Sequence, residues 1–572
     1  MKHVNWIWRR LLRIAWRKGK SCKGVLKLSS FALELLAYIF LTLVALALRI
    51  GAASSRLLGQ DEALRALAAW RFVQGQAPEP SWPLGPVPLG LQALAFLLFG
   101  AGDVTARLPA ALAGGLIPLT FFPLRRVLGK DRALVAAAIS ALSPLWIFSS
   151  SFADGEAIGA LAALVAIGAI LWYREGKSLP WLYVAACVLG LGMASGLSFW
   201  TIAGEGLILA LLFREKIKPL ARGNAGFWPA LGASFLLTST LLFFYPPGLG
   251  LAADSFALWL SSLFGGHFSL KPLVNFLLYE PLLILAAFWG GKEGLYLWAL
   301  AGFGLAVAIF GGIEGPAGFL PILLPLTILS SLGLCNLFRS LAGEKFSAEE
   351  LIALGLSLCL GVWGFLGISA YTLWGAFPYL LAFLGAGVGI VSALVVLSSM
   401  RGPKASYRVS ILLLLTAFSL GEIKLARGLN FSPYVEEHLP LCRITSLEVK
   451  EAVDSLRKLS SYRTGDPSTL NLALVGNIPE LEWYLRDFSG LRVQEQSHPP
   501  LEAEAFIVPA EKASPPGESY FGRHFTVREE CKVMGLRGLG LLRWLLYREP
   551  LAPRKGEEAV LWVKKGFPGF KP

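Results

Sequence analysis

FALELLAYIFLTLVALALRIGAASSRLLGQDEALR, residues 31–65, decides how the rest of the chain is read. Its first part, Phe31–Ile50, is apolar and long enough to cross a bilayer as a helix. It is too long for a signal-peptide core, so it reads as a retained anchor. The chain then leaves the membrane directly onto two adjacent carboxylates, Asp61 and Glu62. Acids at the start of a helix serve its free N–H groups and its dipole. Asp61 also stands four residues before Arg65, an ordinary ion-pair spacing. Their position at a membrane edge gives the two acids a second reading, as chemistry.

Composition agrees with the anchor. The 572 residues are 55% hydrophobic and 16% charged, against about 45–50% and 25% in soluble domains, and the mean hydropathy is +0.60. The chain reads as a polytopic α-helical membrane protein. Its net charge of +14 is not a nucleic-acid signature. Lys2, Arg9, Arg10, Arg13, Arg17, Lys18, Lys20, Lys23 and Lys27 all precede the first acid, Glu34, and are interleaved with Trp6, Trp8, Leu11, Leu12 and Trp16. Residues 1–30 therefore read as a basic arm on an anionic inner leaflet, with the N-terminus cytoplasmic. No nucleic-acid-binding motif accompanies the arm. The six cysteines have no metal-ligand spacing. Cys442 and Cys531 lie in the polar C-terminal region and could pair if that region is extracytoplasmic.

Charge parity sets the expected topology. Arg125, Arg126, Lys130 and Arg132 form a turn that belongs inside, so Leu84–Gly100 and Leu108–Leu128 cannot both span. Leu84–Gly100 is short and broken by Pro86 and Pro88, and is read as a helix lying at the outer face. Arg174 with Lys177, the Arg214–Arg222 group, Lys292, Arg339 with Lys345, and Arg401 with Lys404 and Arg408 then fall inside in turn. About thirteen spans are expected within residues 31–425, among them Ala133–Ser150, Phe227–Pro246 and Pro272–Gly290, N-terminus in and C-terminus out. The outer face would carry residues 61–107 as a first loop with interfacial helices, Ser149–Glu156, Pro247–Lys271, Glu314 and everything after Ala426. Residues 426–572 are more polar and read as a small extracytoplasmic α/β domain. It would have a helix capped at Thr445-Ser446-Leu447-Glu448, strands at Leu470–Val475, Ala505–Val508 and Ala559–Val563, a helix at Pro479–Phe488, and a packing helix within Met534–Tyr547.

The order of the outer-face blocks carries a resemblance. Asp61-Glu62, the Phe99-Gly100 turn, Arg107-Leu108-Pro109-Ala110-Ala111-Leu112-Ala113-Gly114 and Ala141-Leu142-Ser143-Pro144 are similar to membrane glycosyltransferases of the C-type (GT-C) fold. That group includes protein mannosyltransferases and aminoarabinose transferases. Gly85-Pro86, Leu97-Leu98-Phe99-Gly100 with Asp103-Val104-Thr105-Ala106-Arg107, Glu482-Trp483-Tyr484-Leu485-Arg486-Asp487 and Trp544–Pro550 resemble the prokaryotic flippase-activity-associated family.

The resemblance implies a sugar carried on a polyprenyl phosphate and moved with inversion to an unspecified acceptor hydroxyl at the outer face of a prokaryotic plasma membrane. It implies Asp61 as general base, with Glu62 assisting or holding a divalent metal. Asp154 or Glu156 would be the second acid and a further metal candidate. Arg65 and Arg107 would face phosphate, although Arg107 also suits an interfacial anchor. His267 would bind phosphate or acceptor, and Glu314, between apolar spans, is a functional candidate beside the bland reading of an exposed loop. Trp483-Tyr484 could stack on a sugar ring, though an aromatic pair in a helix is more often core.

Three polar positions depart from the family pattern. Leu84 stands where a His precedes Gly-Pro, Phe152-Ala153 precede Asp154-Gly155-Glu156 where an Arg is expected, and Gly315 follows Glu314 in place of a Lys. The alternative is therefore a catalytically degenerate GT-C-fold partner of a glycan flippase or assembly complex. A transporter reading finds neither repeated halves nor matching broken helices.

Overall fold

A computed structural model describes residues 30–76, 85–176, 178–212, 226–265, 267–291, 294–341, 346–432, 443–494, 503–513, 519–530, 538–547 and 555–565. Through residue 431 the apolar sequence becomes helix. In chain order these are α1 (Ser30–Ala53), α2 (Gln60–Val73), α3 (Pro86–Phe99), α4 (Asp103–Leu128), α5 (Lys130–Leu142), α6 (Pro144–Ser149), α7 (Glu156–Gly176), α8 (Leu179–Met193) and α9 (Leu197–Leu212). They continue as α10 (Phe227–Ser239), α11 (Gly248–Phe264), α12 (Lys271–Tyr279), α13 (Pro281–Ala287), α14 (Leu295–Phe310), α15 (Pro316–Leu341), α16 (Ala348–Trp374), α17 (Phe377–Arg401) and α18 (Pro403–Phe431).

Among the described residues seven helices are long and apolar enough to cross a membrane, namely α1, α4, α7 and α15 to α18. Helix α12 and the segment Pro281–Gly290, which contains α13, are long and apolar enough only when taken together, and they meet at a bend of 87°, the geometry of a broken span or a re-entrant loop. The chain is a multi-pass membrane protein. Helix α15 is buried along nearly its whole length, while α16 and α17 turn Trp363, Val388, Val391 and Val395 outward, as lipid-facing helices do.

Several apolar runs are not the continuous spans expected. Ala133–Ser150 breaks at Ser143-Pro144, and Pro272–Gly290 breaks at Glu280-Pro281. The helix expected over Phe227–Pro246 stops at Ser239 and continues through a left-handed turn at Leu241, Leu242 and Phe243, with φ of 48°, 57° and 69°. Pro247–Lys271, expected as an outer loop, contains the apolar α11. A hydropathy window measures apolar length and is blind to where proline interrupts the hydrogen-bond ladder.

Buried charges repair the break at Pro144. Arg49 of α1 donates to the carbonyls of Ser140 (2.7 Å) and Ala141 (3.4 Å), and to the Ser150 hydroxyl at 2.7 Å. On the other side Glu280 accepts from the Leu145 N–H (2.8 Å) and the Ser143 hydroxyl (2.5 Å). In an apolar medium such freed backbone groups need partners within the protein. Neither Arg49 nor Glu280 was singled out in the sequence, although an acid before proline inside an apolar run is a usable signal.

The C-terminal lobe comprises β1 (Arg443–Thr445), α19 (Leu447–Thr464), β2 (Asn471–Val475), α20 (Pro479–Leu485), β3 (Gly490–Gln494), β4 (Ala505–Pro509), β5 (Tyr520–Glu530), α21 (Leu539–Tyr547) and β6 (Lys555–Lys564). The six strands form one mixed sheet in the order β1-β5-β6-β4-β2-β3, parallel at β2/β3 and β2/β4 and antiparallel elsewhere. Val449, Val453 and Leu456 of α19 and Leu481 and Leu485 of α20 pack on Leu472, Leu474, Ile507 and Leu561. Strands β1, β3 and β5 were not read from the sequence. In β5 the run Arg523, His524, Arg528, Glu529 and Glu530 masks the alternation, and pairing with β6 makes the strand. The basic arm, Cys442, Cys531, Leu84, Lys177, Lys292, Lys345 and the 214–222 cluster lie outside the described residues.

Candidate active site

The site begins at the N-terminus of α2. Gly59 is the N-cap, and its N–H donates to Glu62 Oε2 at 3.1 Å, half of a capping box. Glu62 is buried. Its Oε1 accepts from Arg107 Nε (2.8 Å) and from the Ala153 N–H (2.9 Å), and its Oε2 accepts from Arg107 Nη2 (2.6 Å). Arg56 approaches the same carboxylate at 3.9 Å. Burial would raise the Glu62 pKa, but the charge and hydrogen bonds of Arg107, with Arg56 and the Ala153 N–H, hold it down to about 2.

Arg107 is fully buried and uses every N–H it has. Besides Glu62 it donates to the carbonyls of Ala53 (3.0 Å), Arg56 (2.7 Å) and Leu57 (2.9 Å). The pair therefore ties together the end of α1, the start of α2, α4 and the 150–155 loop. The arrangement corrects two roles expected of these residues. Glu62 has both oxygens engaged by protein, and Arg107 has no donor left for a phosphate.

The neighbouring acid is different. Asp61 is exposed and makes no hydrogen bond or ion pair with any described residue. The ion pair with Arg65 that its spacing allowed does not form. Arg65, on the same face of α2, instead acts electrostatically on Asp154 of the second loop.

Asp154 and Glu156 also part company. The Glu156 carboxylate accepts from the N–H groups of Leu197 (3.2 Å) and Ser198 (2.7 Å) and so caps α9. Asp154 is buried and accepts one hydrogen bond, at Oδ1 from the Glu156 N–H (3.1 Å). Burial and the Glu156 charge push its pKa well above the usual carboxylate range, against the pull of Arg65. For an acid raised in the folded state, stability is lost as pH climbs from the ordinary carboxylate range upward. Asp154→Asn is therefore expected to gain thermal stability relative to the wild type between pH 5 and pH 9, measured by unfolding in detergent. A constant difference across that range would show that Asp154 is not a destabilised buried acid.

Two glycines allow these loops to meet. A Cβ on Gly85 would lie 2.2 Å from the Ser195 carbonyl oxygen, and one on Gly155 would lie 2.0 Å from the same atom. No side chain fits at either position, which gives the Gly85-Pro86 block a physical basis.

His267 and Glu314 come together at another corner. Gly312, at φ 61°, packs against the backbone of His267, and Glu314 pairs with Lys271 Nζ at 3.0 Å and accepts from the Ser269 hydroxyl at 3.2 Å. The α11–α12 and α14–α15 connections build this exposed corner, apart from the Glu62 network. The lysine missing after Glu314 is supplied from 43 residues earlier in the chain.

The C-terminal lobe docks on the start of α4. Trp483 Nε1 and the Tyr484 hydroxyl donate to the two oxygens of Asp103, each at 2.8 Å. Trp483 is buried and stacks on Phe96 at 5.8 Å, with the Arg486 guanidinium 3.8 Å from its ring centre. Arg486 donates to the Ala101 carbonyl at 2.8 Å, and Glu482 pairs with Arg71 of α2. Burial and the adjacent Asp103 push the Tyr484 pKa up, so its hydroxyl stays protonated. The aromatic pair is thus a joint between lobe and membrane body, and the buried Trp483 ring offers no open face to a sugar. The signal was present in the sequence as two separate blocks, Asp103–Arg107 and Glu482–Asp487, which the fold makes into one contact. Among the described residues no three His, Cys, Asp or Glu side chains gather into a metal cluster.

Residues 81–244 match the family model described as dolichyl-phosphate-mannose-protein mannosyltransferase. The crystal structure of ArnT from Cupriavidus metallidurans bound to undecaprenyl phosphate is similar, with a TM-score of 0.53 and 14% identity over 94% of this chain and 99% of that one. ArnT in the apo state gives a TM-score of 0.46 at 17% identity, over 82% and 87% of the two chains. The apo Archaeoglobus fulgidus oligosaccharyltransferase gives 0.46 at 13% identity, over 84% and 70%. No curated protein matches the chain. The match to ArnT runs over nearly the whole of both chains, and this multi-pass membrane protein has the GT-C fold of the membrane glycosyltransferases.

Proposed function

We propose that the protein is a glycosyltransferase that moves a sugar from a polyprenyl phosphate to an acceptor hydroxyl, with inversion, at the outer face of a prokaryotic plasma membrane. The observation that carries the proposal is the division of labour between adjacent acids. Glu62 is bound on both oxygens by the protein, while Asp61 stands exposed beside it and bonds to none of the described residues.

Asp61 takes the proton of the acceptor hydroxyl as its oxygen attacks the anomeric carbon. The bond from that carbon to the phosphate oxygen breaks, and the polyprenyl phosphate leaves with the electron pair. Arg65 meets the growing negative charge on the phosphate. Asp154 is the second acid, because Glu156 is committed to its helix cap. If the reaction uses a divalent ion, the exposed Asp61 would hold it together with the donor's own phosphate, with Asp154 as the second acid, and the ion would neutralise the leaving group. The Lys271–Glu314–His267 corner offers a second cation and an imidazole toward donor or acceptor. In the same reading residues 31–425 cross the membrane about thirteen times, short helices included, and residues 426–572 lie outside. The similar ArnT structure, which is bound to undecaprenyl phosphate, supports the lipid class of the donor.

The test is transfer from a panel of labelled polyprenyl-phosphate sugars in membranes that contain the full chain. Labelled product is expected from the wild type. No transfer from a broad panel would move the assignment to the non-catalytic partner of a glycan flippase or assembly complex.

A further inference from the structure

We infer that the C-terminal lobe is a positioning element for Asp61, acting through Tyr484 and Thr445 on the peptide groups of Leu58. The inference rests on Asp61 being the base.

The chain between α1 and α2 is irregular, and such a segment does not hold its geometry by itself. Each residue from 56 to 59 has a backbone group held by a side chain from elsewhere or from α2. Arg107 takes the carbonyls of Arg56 and Leu57, and Glu62 takes the N–H of Gly59. Leu58, between them, is held at both of its polar groups by the lobe. Its N–H donates to the Tyr484 hydroxyl at 2.8 Å, and its carbonyl accepts from the Thr445 hydroxyl at 2.6 Å. Tyr484 is itself fixed, because the same hydroxyl donates to Asp103 Oδ2. The two contacts come from different lobe elements, α20 and β1.

Asp61 bonds to none of the described residues, and its position is set by the backbone that precedes it. Hydrogen bonds to both the N–H and the carbonyl of Leu58 fix where α2 starts and how it is rotated. Helix α4 is the keel of this arrangement. Asp103 holds the lobe, and Arg107, one turn later, holds Glu62.

Tyr484→Phe removes the acceptor for the Leu58 N–H and keeps the ring. Thr445→Val removes the donor to the Leu58 carbonyl. Tyr520→Phe serves as control, since its hydroxyl donates within the lobe to the Ala503 carbonyl. Two readouts are made on the full chain: steady-state transfer, and hydrogen exchange of the segment 57–66. For Tyr484→Phe and Thr445→Val the expected result is a kcat about tenfold lower, as misplaced reacting groups lose rate. The KM for the donor is expected to stay within about twofold, and exchange in 57–66 is expected to be faster. Tyr520→Phe is expected to leave both readouts as in the wild type.

Unchanged exchange in 57–66 for both variants would overturn the clamp. Faster exchange with an unaltered kcat would overturn its positioning role. A wild type that transfers no sugar would sink the enzyme reading, while the exchange comparison still decides whether the lobe holds Leu58.

Discussion

Asp61→Asn is expected to reduce sugar transfer by about a hundredfold to ten-thousandfold while the protein stays folded and inserted. Loss of a general base typically costs about 10²–10⁴ in rate, and an amide cannot accept the acceptor's proton. The fold should not register the change. Asp61 is exposed and bonds to no described residue, and such substitutions stay within about 0.5 kcal/mol. The measurement is product formation in membranes normalised to inserted protein, with the thermal midpoint taken alongside. A mutant that transfers at the wild-type rate would remove Asp61 from the chemistry. A mutant that is inactive because it unfolds would show that the residue has a structural role invisible in its contacts.

The second large effect is on stability. Arg107→Leu is expected to cost about 3–5 kcal/mol, the range for breaking a buried ion pair from one side. The substitution strands the Glu62 carboxylate and leaves the carbonyls of Ala53, Arg56 and Leu57 without their donor. Glu62→Gln should cost less, because the amide oxygen still accepts a hydrogen bond and Arg107 keeps its three carbonyls. The order of thermal midpoints, wild type above Glu62→Gln above Arg107→Leu, checks this in detergent. An Arg107→Leu protein that melts like the wild type and differs only in donor KM would make Arg107 a phosphate ligand after all.

Contrasting fates of adjacent residues show where sequence reasoning stops. Asp61 and Glu62 have the same chemistry and neighbouring positions, yet Glu62 meets a guanidinium 45 residues away and Asp61 bonds to none of the described residues. Glu156 and Asp154 divide in the same way, because the N-terminus of α9 happens to need a cap. No spacing within either loop carries that information. The missing lysine after Glu314 is a similar case: the pattern lacks it, and Lys271 restores a cation to that carboxylate from another loop.

What the sequence by itself determined was the class of protein and the list of acids worth testing. Hydropathy and charge placement are local quantities, and a membrane reads them residue by residue. The order of the outer-face blocks, compared with known families, pointed to the GT-C fold for the same reason. The tertiary structure alone decided which acids are tied down and which are open. It also decided where proline breaks a span and that Asp103–Arg107 and Glu482–Asp487 form one joint. The partner of a buried charge is chosen by packing between distant segments, as Leu58 and Tyr484 are 426 residues apart in sequence and 2.8 Å apart in space.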